Sequence, residues 1–430
     1  MQTFRIITLG CKVNTYESQA MAIDLEQHGY IEAKENEPAD IYIIHTCAVT
    51  NTAAFKSRQK IRQAIKANPE ALVIAVGCYV QTSAPELSEN KDIDVLIGSS
   101  GKSKIAEIVA QALATRGDQR VLVEDMSEAV FEKHDASVFE HQVRAYLKIQ
   151  DGCNQFCSYC IIPYSRGRER SLEENEAVAS SLRLCSSGHQ EIVLTGIHTG
   201  RYGRDINTSL TSLMKRLLAE NPHLKRLRLS SIEINEITDE MIQLMKEDPR
   251  IARHLHIPLQ AGCDATLNRM KRPYNTEQFY EAITKIRKEI PNISISTDVI
   301  VGFPQESEEE FASTVEFIKK CNFSFLHVFP FSMRKGTVAQ TMPGHLPETI
   351  KKERVRALLD ISNENKKKFA MNFLNQEVEV LIETKVNDTY YGYTSEYIRV
   401  GFKCEEDLEV GIYPVKLLSI QEDICYGERR

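Results

Sequence analysis

Short apolar runs with strand character alternate with helical runs along most of the chain, and this alternation constrains the fold more than any other feature. Residues 4–9, 41–45, 72–76 and 95–97 read as strands, with helices over 14–28, about 52–66 and about 105–114. Strands separated by helices pair in parallel and are covered on both faces, so 1–115 is expected to be a parallel α/β domain. The polar stretch 116–142 reads as a linker. A second series runs through 143–149, 191–194, 226–229, 254–257, 293–297 and 323–328, with helices between. Six such repeats over 143–346 fit a β/α barrel, full or partial, and periodicity alone leaves an open sheet possible. Residues 347–374 form a Lys- and Arg-rich connecting helix. From 375 to 430, short strands broken by Gly392, Gly401 and Gly411 predict a small antiparallel β-barrel.

At 430 residues the chain has room for about three domains. Its net charge of -7 excludes a uniformly basic nucleic-acid coat, so any such contact needs a local patch. No apolar run approaches the ~20 residues that span a bilayer, and the opening lacks a signal-peptide pattern. The expectation is a soluble cytoplasmic protein with no membrane partner, monomeric by default.

The chain has 11 cysteines, an odd count in a chain with no mark of secretion, which argues against a disulfide framework. Cys153, Cys157 and Cys160 form a C-x3-C-x2-C run directly after the first strand of the second series, where β/α barrels place their chemistry. Three thiolates this close can each hold one iron of a [4Fe–4S] cluster and leave the fourth open to a small molecule. A zinc site would want a fourth ligand, which the pattern lacks. Gly101-Lys102-Ser103 fails as a phosphate loop because position 96 is Leu rather than Gly.

With Tyr159 before the last cysteine, the run resembles the radical SAM superfamily. That resemblance implies S-adenosylmethionine on the open iron, cleaved to a radical that abstracts hydrogen. Cys11, Cys47 and Cys78 each follow a predicted parallel strand, so their thiols can converge on one sheet edge; three unrelated buried cysteines are the alternative. Gly10-Cys11-Lys12-Val13-Asn14, Thr46-Cys47-Ala48-Val49-Thr50 and Gly77-Cys78-Tyr79 resemble the methylthiotransferases. So do Gly196 with His198, Ser230-Ser231-x-Glu233, His256-Ile257-Pro258-Leu259-Gln260, Met270-x-Arg272-x-Tyr274, Asp298-x-Ile300-x-Gly302 and Gly336-Thr337. The resemblance implies a second [4Fe–4S] cluster on Cys11, Cys47 and Cys78, and a TRAM-like terminal barrel. It offers Tyr159, Gly196, Ser231, Glu233, Gln260 and Gly302 as contacts to S-adenosylmethionine.

The opening Cys-Lys-Val-Asn looks like the MtaB-type branch, which converts N6-threonylcarbamoyladenosine at position 37 of tRNA to its 2-methylthio derivative. One S-adenosylmethionine would give the methyl group and another the radical, with electrons from a reductant protein of unknown identity. The terminal barrel, with twelve acidic against six basic residues from Asn375 onward, suits a basic protein better than RNA. Methylthiolation of a ribosomal-protein aspartate is therefore the nearest alternative. A two-cluster electron carrier and a zinc-binding RNA adaptor are alternatives of other classes. The basic stretch 351–368 offers phosphate contacts or a solvated helix face. Tyr79, Arg168 and Arg334 are candidates to lie near the modified base, and His198 to lie in the barrel loop beside the chemistry.

Overall fold

The computed structural model describes residues 1–34, 37–134 and 143–430. Six strands, β1 (Thr3–Thr8), β2 (Ile31–Glu32), β3 (Ile41–Thr46), β4 (Leu72–Gly77), β5 (Val95–Ile97) and β6 (Arg120–Leu122), form a wholly parallel sheet ordered β2-β1-β3-β4-β5-β6. Helices α1 (Lys12–Gln27) and α4 (Ile105–Ala114) pack on one face, and α2 (Asn51–Ala67) and α3 (Cys78–Ser88) on the other. Alternate residues divide accordingly: Ile41 and Ile43 face α1 and α4, whereas Tyr42 and Ile44 face α2. The chain lays β2 on one side of β1 and β3 on the other. The carboxyl ends of β1 and β3 thus flank the crevice where open α/β sheets bind ligands.

Three elements here escape the sequence pattern. The strands β2 and β6 are two and three residues long, too short for alternation to register. Pro85 and the non-helical Ser83 interrupt the periodicity of α3. The stretch read as a linker therefore contributes a strand, β6, and residues 135–142 of it lie outside the described residues.

The second unit begins with β7 (Arg144–Lys148) and a short pair, β8 (Gln150–Asp151) with β9 (Arg170–Ser171). Its other strands are β10 (Glu191–Thr195), β11 (Arg226–Leu229), β12 (His254–His256), β13 (Ser294–Val301) and β14 (Phe325–Pro330). Parallel pairing runs β7-β10-β11 and β12-β13-β14, with the halves joined by single bridges at Leu227–Ile251 and Ser231–His256. Among the described residues β7 and β14 do not pair, so the barrel is partial. Tyr16 and Ala20 of α1 belong to its core, which places α1 between the two domains and buries it on both sides. Helix α5 (Ile162–Arg166) follows the cysteine loop. Outer helices α6 (Glu174–Ser186), α7 (Leu210–Glu220), α8 (Asp239–Glu247), α9 (Asp264–Arg269), α10 (Thr276–Glu289) and α11 (Glu308–Cys321) complete the unit.

Helix α12 (Glu348–Met371) lies along β14, where Ser362 Oγ accepts the Leu326 N–H at 2.8 Å. The basic stretch is divided by this packing. Lys351 and Arg354 turn inward, the latter to Glu306 at 2.6 Å, so neither is available to phosphate.

The terminal strands β15 (Glu377–Val386), β16 (Thr389–Thr394), β17 (Arg399–Lys403), β18 (Ile412–Gln421) and β19 (Ile424–Arg429) close a barrel in the order β15-β16-β17-β19-β18. Its pairings are antiparallel except β17–β19, which run parallel. The barrel docks on the central unit through buried charge. Arg226 and Arg228 share Glu191, and donate to the carbonyls of Tyr393, Glu379, Thr394 and Ser395.

Candidate active site

Cys153, Cys157 and Cys160 line one cavity of about 240 Å³ at the carboxyl end of the barrel, together with Tyr159, Ser231, Glu233 and Gln260. Donors are aimed at the sulfurs: His198 Nδ1 lies 3.3 Å from Cys153 Sγ, the Gln155 N–H donates to the same sulfur at 3.4 Å, and Arg272 donates to Cys157 Sγ at 3.3 Å. Burial pushes the free Cys160 thiol up to about 12, so these sulfurs become thiolates when a metal binds them. Arg272 is itself held by Glu233 and by Tyr274, whose hydroxyl is 3.0 Å from its Nε. His198 Nε2 lies 2.9 Å from Glu236; loss of hydration lowers its pKa, but Cys153 and Glu236 outweigh that and bring it up to about 9.

Two of the expected contacts stand apart from this cavity. Gly196, at the end of β10, abuts Gln150, which accepts the His198 N–H at 2.7 Å, so it shapes the loop that carries His198. Gly302 has a φ of 72° and its missing Cβ is where the Lys351 side chain lies, which makes it a packing position under α12.

Cys11, Cys47 and Cys78 stand at the carboxyl ends of the adjacent strands β1, β3 and β4. Gly10 and Gly77 precede two of them with φ of 109° and 103°. A Cβ on Gly10 would stand 3.1 Å from Cys47 Sγ, which shows how closely the first two loops approach. Burial pushes the free Cys47 thiol up to about 12 and raises Cys11. No group of three or more His, Cys, Asp or Glu among the described residues closes round a single ion. A four-iron cube instead spreads three thiolates over three irons, and each cysteine triad offers that donor set. The residues present fit two such groups.

The two triads are joined by Cys160–Arg166, six residues along the chain. Ile161 packs among Ala48, Cys78 and Tyr79 of the first domain. Arg166, fully buried, donates from Nε to Cys78 Sγ at 3.2 Å, from Nη2 to Asn14 Oδ1 at 2.8 Å and from Nη1 to Glu17 Oε1 at 2.7 Å. Lys148 and Lys102 also approach Glu17, and Asp151 takes Lys148, Arg166 and Arg170. Burial opposes the charge of Glu17, yet Arg166, Lys102 and Lys148 hold its carboxyl well below the usual range. Four cations against Glu17, Asp151 and, beside Lys102, Glu132 leave a positive surplus near the second triad, suited to an anionic cluster. Lys102, in the run that fails as a phosphate loop, thus serves this network.

A second cavity of about 250 Å³ shares Tyr159, Cys160, Gln260 and Asp298 with the first and reaches Val49 and Thr50 of the N-terminal domain. Its rim is closed by contact between Ser332 and Asn51, and Arg334 donates to Asn51 Oδ1 at 2.7 Å. Of the three candidates for base contact, Arg334 therefore lies nearest this opening. Tyr79 is buried and bonded to Arg58, and Arg168 is exposed over the ring of Phe156.

Sequence reasoning missed Arg166 and the roles of Glu17 and Arg272. It also passed over α2, which holds Lys56, Arg58, Lys60, Arg62 and Lys66 with no Asp or Glu. Its outer face presents Phe55, Lys56, Arg62 and Lys66 to solvent, and its first turns lie next to the second triad, where the Cys47 N–H donates to Ser57 Oγ at 3.3 Å. The absence of any acid over this helix was readable in the sequence.

Residues 3–98 match the family described as Uncharacterized protein family UPF0004, and residues 147–318 match the Radical SAM superfamily. The chain is 41% identical, over 97% of its length and 94% of the relative's, to a protein of Bacillus subtilis (strain 168) named threonylcarbamoyladenosine tRNA methylthiotransferase MtaB. It is 31% identical, over 99% of its length and 92% of the relative's, to a tRNA-2-methylthio-N(6)-dimethylallyladenosine synthase of Caldicellulosiruptor saccharolyticus. Among solved structures, the radical S-adenosylmethionine methyltransferase TsrM from Kitasatospora setae superposes with a TM-score of 0.59 at 13% identity, covering 79% of this chain and 76% of that one. That likeness concerns the fold.

Proposed function

Because this chain belongs to the radical SAM tRNA methylthiotransferase family, we propose that it places a methylthio group on C2 of N6-threonylcarbamoyladenosine at position 37 of tRNA. The observation that carries the reading is the presence of two three-cysteine sets on either side of one domain boundary, bridged by Arg166, which follows Cys160 by six residues and donates to Cys78 Sγ. Cys153, Cys157 and Cys160 would hold one [4Fe–4S] cluster and Cys11, Cys47 and Cys78 another; bound there, they supply reducing power for radical formation from S-adenosylmethionine and a soft site for sulfur.

The protein's own residues supply orientation and exclusion of water. Ser231, Glu233 and Gln260 offer hydrogen-bonding groups to S-adenosylmethionine along the cavity wall, with Tyr159 contributing an apolar ring. Arg272, fixed by Glu233 and Tyr274, and His198, fixed by Glu236, hold donors toward Cys157 and Cys153. The cavity on the N-terminal side, with Val49, Phe329 and Phe331, is apolar enough to take a purine turned out of its stack. One S-adenosylmethionine serves as methyl donor and a second as radical source.

The substrate RNA is held by α2, whose cations neutralise phosphates, while the acidic terminal barrel stays docked on the central unit. Lys56→Glu/Arg62→Glu/Lys66→Glu is expected to weaken tRNA binding strongly. The slope of log affinity against log salt should fall by about one for each phosphate no longer neutralised. Titrations at several salt concentrations measure both, and an unchanged slope would place the RNA elsewhere. The activity itself is tested by incubating reconstituted enzyme, reductant and S-adenosylmethionine with tRNA carrying the threonylcarbamoyl group, followed by nucleoside mass analysis. One deoxyadenosine per methylthiolated base is expected. Methylthiolation of a ribosomal protein instead, or of dimethylallyl-bearing tRNA only, would overturn the reading.

A further inference from the structure

Beneath the cysteine cavity the barrel lumen holds a smaller one, of about 140 Å³, lined by Lys12, Arg228, Ser231, His254, His256 and His327. It adjoins the larger cavity through Ser231, common to both, and through His256, whose Nε2 is 3.1 Å from Asp298 Oδ2 of the larger cavity's wall. Tyr397 of the terminal barrel closes its floor, stacked on His254 with ring centroids 4.9 Å apart. The lining joins two cations and three imidazoles to Ser231, Ser296 and the apolar Leu229 and Phe325, with no carboxylate among it.

Charge accounting separates Lys12 from its neighbours. Arg228 is matched by Glu191 at 2.6 Å, and Arg144 by Glu383. Lys12 has no carboxylate within ion-pair distance among the described residues, and its strongest charged neighbours are Arg144 and Arg228, which repel it. It nevertheless keeps an accessible side chain, as does His327 across the lumen. An ammonium facing like charges in a confined site is stabilised when an anion enters, and the surrounding low dielectric strengthens that attraction. The helix start at Lys12 fixes this group one residue from Cys11, so whatever it binds is in register with the second triad.

We propose that Lys12 and the lumen cavity bind the carboxylate of the threonylcarbamoyl substituent, making Lys12 a specificity-determining residue for the modified base. This rests on the function proposed above. In adenine, N6 and C2 flank N1 on one edge of the ring. The base can therefore stay in the apolar cavity with that edge toward Asp298, which lines both larger cavities and meets His256, so that the N6 chain reaches the lumen while C2 faces the cysteines.

The test compares binding of anticodon stem-loops identical except at the target adenosine, either unmodified or threonylcarbamoylated. Wild type is expected to favour the threonylcarbamoylated RNA by about tenfold, the effect of one charge-assisted hydrogen bond. Lys12→Gln should erase that preference and leave affinity for the unmodified RNA unchanged, while Lys12→Arg should keep most of it. Iron content and S-adenosylmethionine affinity, measured in parallel, should match wild type in both variants. A preference surviving Lys12→Gln, an equal loss for both RNAs, or weakened S-adenosylmethionine binding in its place would overturn the assignment. A wild type that methylthiolates the base without preferring the acid-bearing RNA sinks this inference alone. Failure to methylthiolate either RNA sinks the functional reading.

Discussion

Anaerobically reconstituted protein is expected to carry about eight irons, falling to about four in Cys153→Ala/Cys157→Ala/Cys160→Ala. The same variant should form no deoxyadenosine from S-adenosylmethionine. The reciprocal variant, Cys11→Ala/Cys47→Ala/Cys78→Ala, should also retain about four irons. It should still release deoxyadenosine, because Cys153, Cys157 and Cys160 with His198 and Arg272 lie wholly within the central unit. It should, however, yield no methylthiolated base. The two losses are separable because the triads sit on different domains, one in the single loop between β8 and α5 and the other at the ends of β1, β3 and β4. A wild type holding about four irons that fall to none in the first variant would leave a one-cluster enzyme and remove the basis for sulfur insertion.

The parts of this design that were legible in the sequence are those that local pattern encodes. The strands β3 and β4 are apolar throughout because both faces are buried, and their boundaries could be read to within a residue. Cys11, Cys47 and Cys78 could be grouped because each ends a strand, although 36 and 31 residues separate them. What the sequence hid depends on distant partners. Arg166 meets Glu17 across 149 residues and Cys78 across 88, and no periodicity marks a residue for such contacts. Gly302 stood in a motif that resembles a cofactor contact, yet its lack of a side chain serves the close approach of Lys351. The parallel closure of β17 on β19 was invisible for the same reason, since alternation reports burial and not strand direction. Lys12 was readable as a residue but not as a cation without a partner, because its neighbours come from the central unit.

Arg166→Leu is expected to cost about 3–5 kcal/mol, the effect of removing one partner from a buried ionic network. Glu17 would keep Lys148 and Lys102 but lose two of its hydrogen bonds, Asn14 Oδ1 would lose its guanidinium donor, and Cys78 Sγ would lose its cation. Because Asn14 and Cys78 belong to the N-terminal domain and Arg166 to the central one, the loss falls on the boundary that brings the triads together. Iron bound by the second triad should therefore drop more than iron bound by the first. Arg166→Lys should recover the charge but not the planar fork that reaches Glu17, Asn14 and Cys78 at once. The pH dependence gives the sign. The carboxyls of Glu17 and Asp151 are held below their unfolded values, where burial is outweighed by cations that include Arg166. Their stabilisation is thus full above the unfolded range near pH 4 and is lost as pH falls below it toward the folded values. Removing Arg166 lets both pKa values rise, so the variant has less of this stabilisation to lose. Urea midpoints of wild type and Arg166→Leu should differ most at pH 7 and converge below pH 4; a gap constant across that range would show that Arg166 acts through packing and not through these carboxylates.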